Sequence, residues 1–198
     1  MIKRGFDLMV TLVGIIMASP VFLFIAVLIR FFMGPPVFFR QTRVGKGGRE
    51  FSLIKFRTMT IFTGAEKSEF EPGNLSRITS FGRFLRKTKL DELPQLFNVL
   101  IGDMSLVGPR PEVKKWVEVY PERWAIVHRI RPGVTDPASL IYRKEEEILA
   151  GVQEPEKVYR DEILPHKLAL YEEYIRERNF FMDFSIILKT ISSVLKSY

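Results

Sequence analysis

The sequence predicts an α+β fold, mostly helical, with one small β-hairpin and an N-terminal helix suited to a membrane. Three observations carry that expectation. From Leu8 to Ile29 no residue is charged. Between Val37 and Met59, two runs rich in β-branched and aromatic residues flank a glycine-rich turn. Beyond Ile78, apolar residues recur at helical spacing in one segment after another. With 198 residues, 46% of them hydrophobic, the chain can bury a core of its own. Residues 1–34 are expected to form the membrane helix and residues 35–198 one domain.

The charge balance points to an anionic partner. Thirty basic residues against 23 acidic ones leave a net charge of +7, a sign that suits nucleic acid, anionic lipid or phosphorylated metabolites. The absence of cysteine excludes disulfides and thiolate metal sites and agrees with a reducing cytosolic side. Two histidines, His128 and His166, support neither a histidine-rich metal centre nor a catalytic triad.

The N-terminal apolar stretch reaches the roughly 20 residues that cross a bilayer as helix. Ser19-Pro20 lies near its middle, where proline breaks the hydrogen-bond ladder and serine can bond the freed carbonyls, so a bend is expected there. Lys3 and Arg4 precede the stretch and Arg30, Arg40 and Arg43 follow it. Positive residues prefer the cytoplasm, and both flanks are positive. A re-entrant helix that bends at Ser19-Pro20 and leaves on the same face satisfies both; a kinked spanning helix shares the local sequence.

Gly34-Pro35-Pro36 stops the helix. Val37 to Arg43 and Glu50 to Met59 read as two strands around Gly45-Lys46-Gly47-Gly48. On the second strand Lys55 and Arg57 share one face. Thr60 to Ser76 has little periodicity and reads as a surface loop. Ile78 to Lys89 reads as a basic amphipathic helix with Phe81, Phe84 and Leu85 on its apolar side. Basic residues with phenylalanine also describe nucleic-acid binders, but no nucleic-acid module is present.

The chain is organised around Thr88 to Pro111. Leu93, Leu96, Phe97, Leu100 and Ile101 recur at helical spacing behind the adjacent acids Asp91 and Glu92. Pro94 restricts where the helix starts, which makes Asp91 the expected N-cap and Glu92 the first helical residue. The simplest role for the acids is then capping and dipole complementation. Their surroundings suggest more. Arg77, Arg83, Arg86, Lys87 and Lys89 lie just upstream with no acid among them, and Arg110 sits between Pro109 and Pro111, on a stiffened backbone that suits a fixed anion. Paired carboxylates flanked by cations fit phosphoryl transfer, with one acid attacking phosphorus and the other holding a metal.

The remaining segments are helical. Short helices are expected from Pro111 to Pro121, carrying Trp116 and Tyr120, and from Glu122 to Ile130, carrying Trp124. These aromatics suit either a membrane boundary or a core. Arg131 again precedes a proline, and Asp136 reads as a turn former. A helix starts at Pro165, and Asp183 to Tyr198 places Phe184, Ile187, Leu188, Ile191 and Leu195 on one stripe, fit for a membrane interface or for packing.

The stretch LDELPQLFNVLIGDMSLVGPRP closely resembles the signature of the bacterial monotopic phosphoglycosyl transferases, the bacterial sugar transferase family. A weaker resemblance runs from Lys3 to about Thr135, and KFRTM, residues 55–59, is similar to a family motif. The resemblance implies a re-entrant membrane helix broken at Ser19-Pro20, on the cytoplasmic face of the bacterial inner membrane. It also implies transfer of a phosphosugar from a UDP-sugar to polyprenol phosphate, giving polyprenol diphosphosugar and UMP. Asp91 would be the nucleophile and Glu92, with Asp91 beside it, the Mg²⁺ ligand. Arg110, Lys55, Arg57, Arg86 and Arg131 would bind substrate phosphates. The partners implied are the UDP-sugar, polyprenol phosphate and membrane lipid, with no nucleic acid; a homodimer is compatible. Two rivals are an inactive membrane scaffold, against which the intact Asp91, Glu92 and Arg110 argue, and a binder of anionic lipid or nucleic acid. After Arg131-Pro132-Gly133-Val134-Thr135 the chain departs from the commoner family continuation at Asp136-Pro137-Ala138-Ser139, and no sugar contact is carried over to that loop.

Overall fold

A computed structural model describes residues 2–61 and 77–195. Helix α1 spans Ile2–Phe32. An antiparallel hairpin follows, β1 (Phe38–Val44) and β2 (Glu50–Phe56), closed by a 3₁₀ turn at Lys46–Gly48. Next come α2 (Ser80–Lys87), a 3₁₀ turn at Leu90–Glu92, α3 (Gln95–Ile101) and β3 (Ser105–Val107). Helices α4 (Lys114–Val117) and α5 (Pro121–Val127) lead to β4 (Gly133–Thr135). The chain ends in α6 (Pro137–Ile141), α7 (Glu145–Ala150), α8 (Pro155–Val158), a π-helical turn (Tyr159–Ile163), α9 (Leu164–Glu177) and α10 (Phe180–Leu195).

The expected α+β, mostly helical architecture is the one observed. Strand β2 stops at Phe56 instead of Met59, because its partner β1 begins at Phe38, opposite Phe56. A second, parallel pair joins β3 to β4, with Ser105 opposite Gly133 and Val107 opposite Thr135. Three-residue strands carry too little alternation to be read from sequence. The Thr60 to Ser76 loop lies, from residue 62 on, outside the described residues.

Helix α1 runs unbroken through Pro20. Proline cannot donate to the carbonyl four residues back, that of Ile16. The Ser19 hydroxyl donates to it at 2.8 Å instead. The helix is inverted in polarity: it buries Asp7 and Thr11 together with Ile25 and Ile29, while Met17, Leu23, Phe24 and Phe31 stand exposed. It is long and apolar enough to cross a membrane. Both of its ends are fastened to the same domain. Near the start, Lys3 pairs with Asp183 of α10, and Arg4 donates to the carbonyls of Leu100 and Met104. At the other end, Arg57 donates to the carbonyls of Met33, Gly34 and Pro35.

One apolar cluster joins Ile25 and Ile29 to Phe56 of β2 and Leu85 of α2. A larger one packs Trp116, Trp124, Leu164, Leu168 and Tyr171 together, so both tryptophans are core residues rather than membrane-boundary ones. Gly82 allows α2 to lie against the hairpin exit: a Cβ there would stand 1.9 Å from the Thr58 carbonyl oxygen. Helix α10 buries Asp183 and Ile186 but exposes Phe181, Phe184, Leu188 and Ile191, so it packs on one side and leaves an apolar stripe on the other.

Candidate active site

The turn that carries the two acids is built by its neighbours. Thr79 caps α2 by accepting from the Gly82 amide at 2.9 Å, and α2 ends at Lys87. Lys89 then takes a left-handed conformation, φ 58°, the one positive-φ residue other than glycine among the described residues. Strain of this kind, on the order of 1 kcal/mol, collects where a fold places a functional group. It reverses the chain into the 3₁₀ turn, where the Glu92 amide donates to the Lys89 carbonyl. The α-helix begins only at Gln95, with Pro94 in the cap position. Asp91 is therefore not the N-cap: its Oδ1 is buried and bonds to nothing. The 3₁₀ turn takes up the residues that the proline spacing had assigned to the first helical turn.

The adjacent acids sit in opposite environments. Asp91 is 6% exposed, and burial, reinforced by the charge of Glu92, pushes its carboxyl up to about 6. Glu92 is half-buried and saturated with cations. Lys55 Nζ donates to Oε1 at 2.9 Å, and Arg110 grips both oxygens, Nη1 to Oε2 at 3.2 Å and Nη2 to Oε1. Burial alone would raise the Glu92 carboxyl; Arg110 and Lys55 overcome it and hold the group well below the carboxylate range. Burial likewise lowers the Lys55 ammonium, with Glu92 pulling against it.

The structure brings Lys55 and Arg110 to the acids, and Arg86 to their margin. Arg86 donates to Thr58 Oγ1 at 3.0 Å and to Glu146 at 2.7 Å, close enough for its charge to act on Asp91. It does not bring Arg57 or Arg131. Arg57 lies beyond the end of β2, where it no longer shares a face with Lys55, and its guanidinium caps the end of α1. Arg131 Nε donates to the Gly102 carbonyl at 2.7 Å, at the far end of α3 from the acids. Asp136 is the turn former expected: it caps α6 by accepting from the Ser139 amide at 2.9 Å.

Sequence reasoning missed Asn98. Fully buried in α3, its amide donates to the Ser52 carbonyl at 2.7 Å and accepts from the Ile54 amide at 3.0 Å. That clamp holds β2 against α3 and so delivers Lys55 to Glu92. An asparagine between Phe97 and Val99 on an apolar helix was the available signal.

For a magnesium ion the local donor set fits only in part. Among the described residues no group of three or more metal-binding side chains occurs. Magnesium, however, binds through one or two carboxylates and completes its shell with water and substrate phosphates. Asp91 Oδ1, bare and beside Glu92, matches that demand.

A family model, bacterial sugar transferase, matches residues 1–197. The chain belongs to the bacterial sugar transferase family. It is 38% identical to the uncharacterized sugar transferase EpsL of Bacillus subtilis, an alignment covering 99% of the chain and 88% of that protein. It is 34% identical to the UDP-N-acetylgalactosamine-undecaprenyl-phosphate N-acetylgalactosaminephosphotransferase of Aeromonas hydrophila, covering all of the chain and 44% of the relative. It is 36% identical to the UDP-glucose:undecaprenyl-phosphate glucose-1-phosphate transferase of Klebsiella pneumoniae, covering 96% and 39% respectively. This family member thus spans less than half the length of the latter two relatives.

Proposed function

We propose that the chain is a phosphoglycosyl transferase that moves a phosphosugar from a UDP-sugar to polyprenol phosphate at the cytoplasmic face of the bacterial inner membrane. The observation that carries the reading is the division between the adjacent acids, one bare and one saturated with cations. A carboxylate that attacks must have a free oxygen and must be cheap to strip of water. Asp91 meets both conditions. Arg110 and Lys55, held in place by Glu92, form a cationic cradle suited to phosphate oxygens.

Asp91 attacks the phosphorus that bears the sugar. The bond from that phosphorus to the bridging oxygen breaks, and UMP leaves with the electron pair. The phosphate oxygen of polyprenol phosphate then attacks the aspartyl phosphosugar, the acyl phosphate bond breaks, and Asp91 returns as carboxylate. Glu92 and Asp91 would hold Mg²⁺, which when bound neutralises diphosphate charge, with Glu92 open to it once the donor phosphates draw Arg110 and Lys55 away from its oxygens. Arg110 and Lys55 orient the phosphate oxygens, and enclosure around Asp91 limits attack by water.

The membrane reading draws support from α1. Its exposed face is the apolar one, and both of its ends are tied to one domain, which suits a re-entrant path with Ser19 bonding across Pro20. The acceptor's phosphate lies at the bilayer surface, within reach of such a domain. The two named relatives act on UDP-N-acetylgalactosamine and UDP-glucose, so the test is a panel of both donors with undecaprenyl phosphate and Mg²⁺. Release of UMP dependent on Asp91 is expected; no release on any donor would overturn the reading.

A further inference from the structure

A buried ionic network is centred on Glu112, two residues along the chain from Arg110, and the chemistry above leaves it unused. Glu112 is 6% exposed and accepts from Arg43 Nη1 at 2.8 Å, the Val113 amide at 2.8 Å and the Tyr159 hydroxyl at 2.6 Å. Arg43 also donates to the Pro111 carbonyl at 3.2 Å and to Gln41. Behind Tyr159, the buried Lys167 reaches its hydroxyl at 3.3 Å and Glu145 at 3.0 Å. The network therefore ties β1, α7, α9 and the π-helical turn to the segment that presents Arg110.

Stability is a poor reason for such a network. Desolvating each ion costs several kcal/mol, and packed apolar residues often serve as well. Placement is a better one. Pro109 and Pro111 bring no N–H groups, so this segment is fastened largely through its acceptors. The Gly133 amide holds the Pro109 carbonyl at 2.9 Å, Arg43 holds that of Pro111, and the Val44 amide holds that of Glu112 at 2.9 Å. Tyr159 comes from a π-helical turn, a widened geometry that recurs at functional sites. Its ring packs edge-on against Trp116 at 4.9 Å, which aims the hydroxyl at Glu112.

We infer that Glu112, supported by Arg43 and Tyr159, is a positioning residue that holds Arg110 in line with Glu92 and the donor phosphates. The inference rests on the phosphate-clamping role of Arg110 proposed above. A two-pronged guanidinium is sensitive to displacements of about 1 Å, so loosening its support costs rate without removing any charge from the site.

The test is a double-mutant cycle on the full chain. Tyr159→Phe removes one hydroxyl and keeps the packed ring; Glu112→Gln keeps the shape and removes the charge. Each is made alone and in an Arg110→Lys background, and UMP release is followed with undecaprenyl phosphate and whichever of UDP-glucose or UDP-N-acetylgalactosamine is turned over. Each single change is expected to lower kcat/KM for the donor about tenfold. In the Arg110→Lys background the same change should cost less than about twofold, because the geometry it protects is already gone. Glu172→Gln, which breaks the separate Arg123 pair, should leave kcat/KM unchanged. A merely structural role would lower kcat through loss of active protein and persist in both backgrounds; such additivity overturns the inference. Failure of the unaltered chain to release UMP would sink the phosphotransfer reading, and this inference with it.

Discussion

Lys55 donates a 2.9 Å hydrogen bond to Glu92 Oε1, while the next carboxylate along the chain, that of Asp91, keeps a buried oxygen with no partner. Lys55, together with Arg110, thereby sets the two neighbouring acids in different environments. Side chains of consecutive residues diverge by about 120° in a 3₁₀ turn, so a cation arriving from β2 can satisfy one and not the other.

The covalent step follows from that separation. Incubated with its UDP-sugar and Mg²⁺ but no acceptor, the protein is expected to release UMP and gain the mass of one phosphosugar. Asp91→Asn should abolish the adduct, since an amide is a poor nucleophile, and Glu92→Gln should reduce it. If UMP appears only when polyprenol phosphate is present, attack by Asp91 is wrong and direct attack by the lipid phosphate replaces it.

The pH dependence has a definite sign. Asp91 must be ionised to attack and titrates at about 6, so adduct formation should rise with pH through that value. On the alkaline side activity should fall as Lys55, lowered by burial, loses its charge below its ordinary 10.5. Lys55→Arg, which stays charged, should move the alkaline limb and leave the acid limb in place. An acid limb absent from the rate of adduct formation would remove Asp91 from the role.

Asp91 should also cost stability where it is ionised. Its folded value lies above the ordinary 3.8, so the stability of its neutral form is complete below 3.8 and lost as pH rises through about 6. Asp91→Asn should therefore stabilise the fold at about pH 7.5 by on the order of 1–3 kcal/mol, and less at about pH 5. Denaturation midpoints at the two values measure it; equal midpoints for both proteins at the higher pH would contradict the placement of Asp91.

Arg110→Lys keeps the charge but loses the fork that grips both oxygens of Glu92. Activity should fall by an amount on the order of 1–3 kcal/mol in the barrier, at unchanged melting temperature. Full turnover by a well-folded Arg110→Lys protein would exclude Arg110 from phosphate binding.

Arg57 is expected to behave in the opposite way. Hydrogen bonds to charged groups contribute about 1.5–3 kcal/mol each, and Arg57 makes three, all to carbonyls at the end of α1. Arg57→Ala should lower thermal stability and leave the donor KM of the surviving protein unchanged. A raised donor KM with normal stability would return Arg57 to the substrate site.

What the sequence determined by itself is what local patterning encodes. The uncharged stretch before Arg30, the hairpin around Gly45 to Gly48, and the apolar periodicities of α2, α3 and α10 each follow from spacing within one segment. The Asp91-Glu92 pair and the rigid Pro109-Arg110-Pro111 support were legible for the same reason, being contiguous. The tertiary structure alone decided which charges meet. Lys55 and Arg57 stand two residues apart and were equal candidates, yet one reaches Glu92 and the other the end of α1, because β2 ends at Phe56 between them. Arg131 looked like Arg110 in sequence, an arginine before proline, but faces the opposite end of α3. Asn98 and Glu112 gave little local signal, because a buried polar group is chosen by partners far along the chain. Charges act over a few ångströms in space, while sequence patterns report neighbours along the chain, so the acids could be read and their cations could not be sorted.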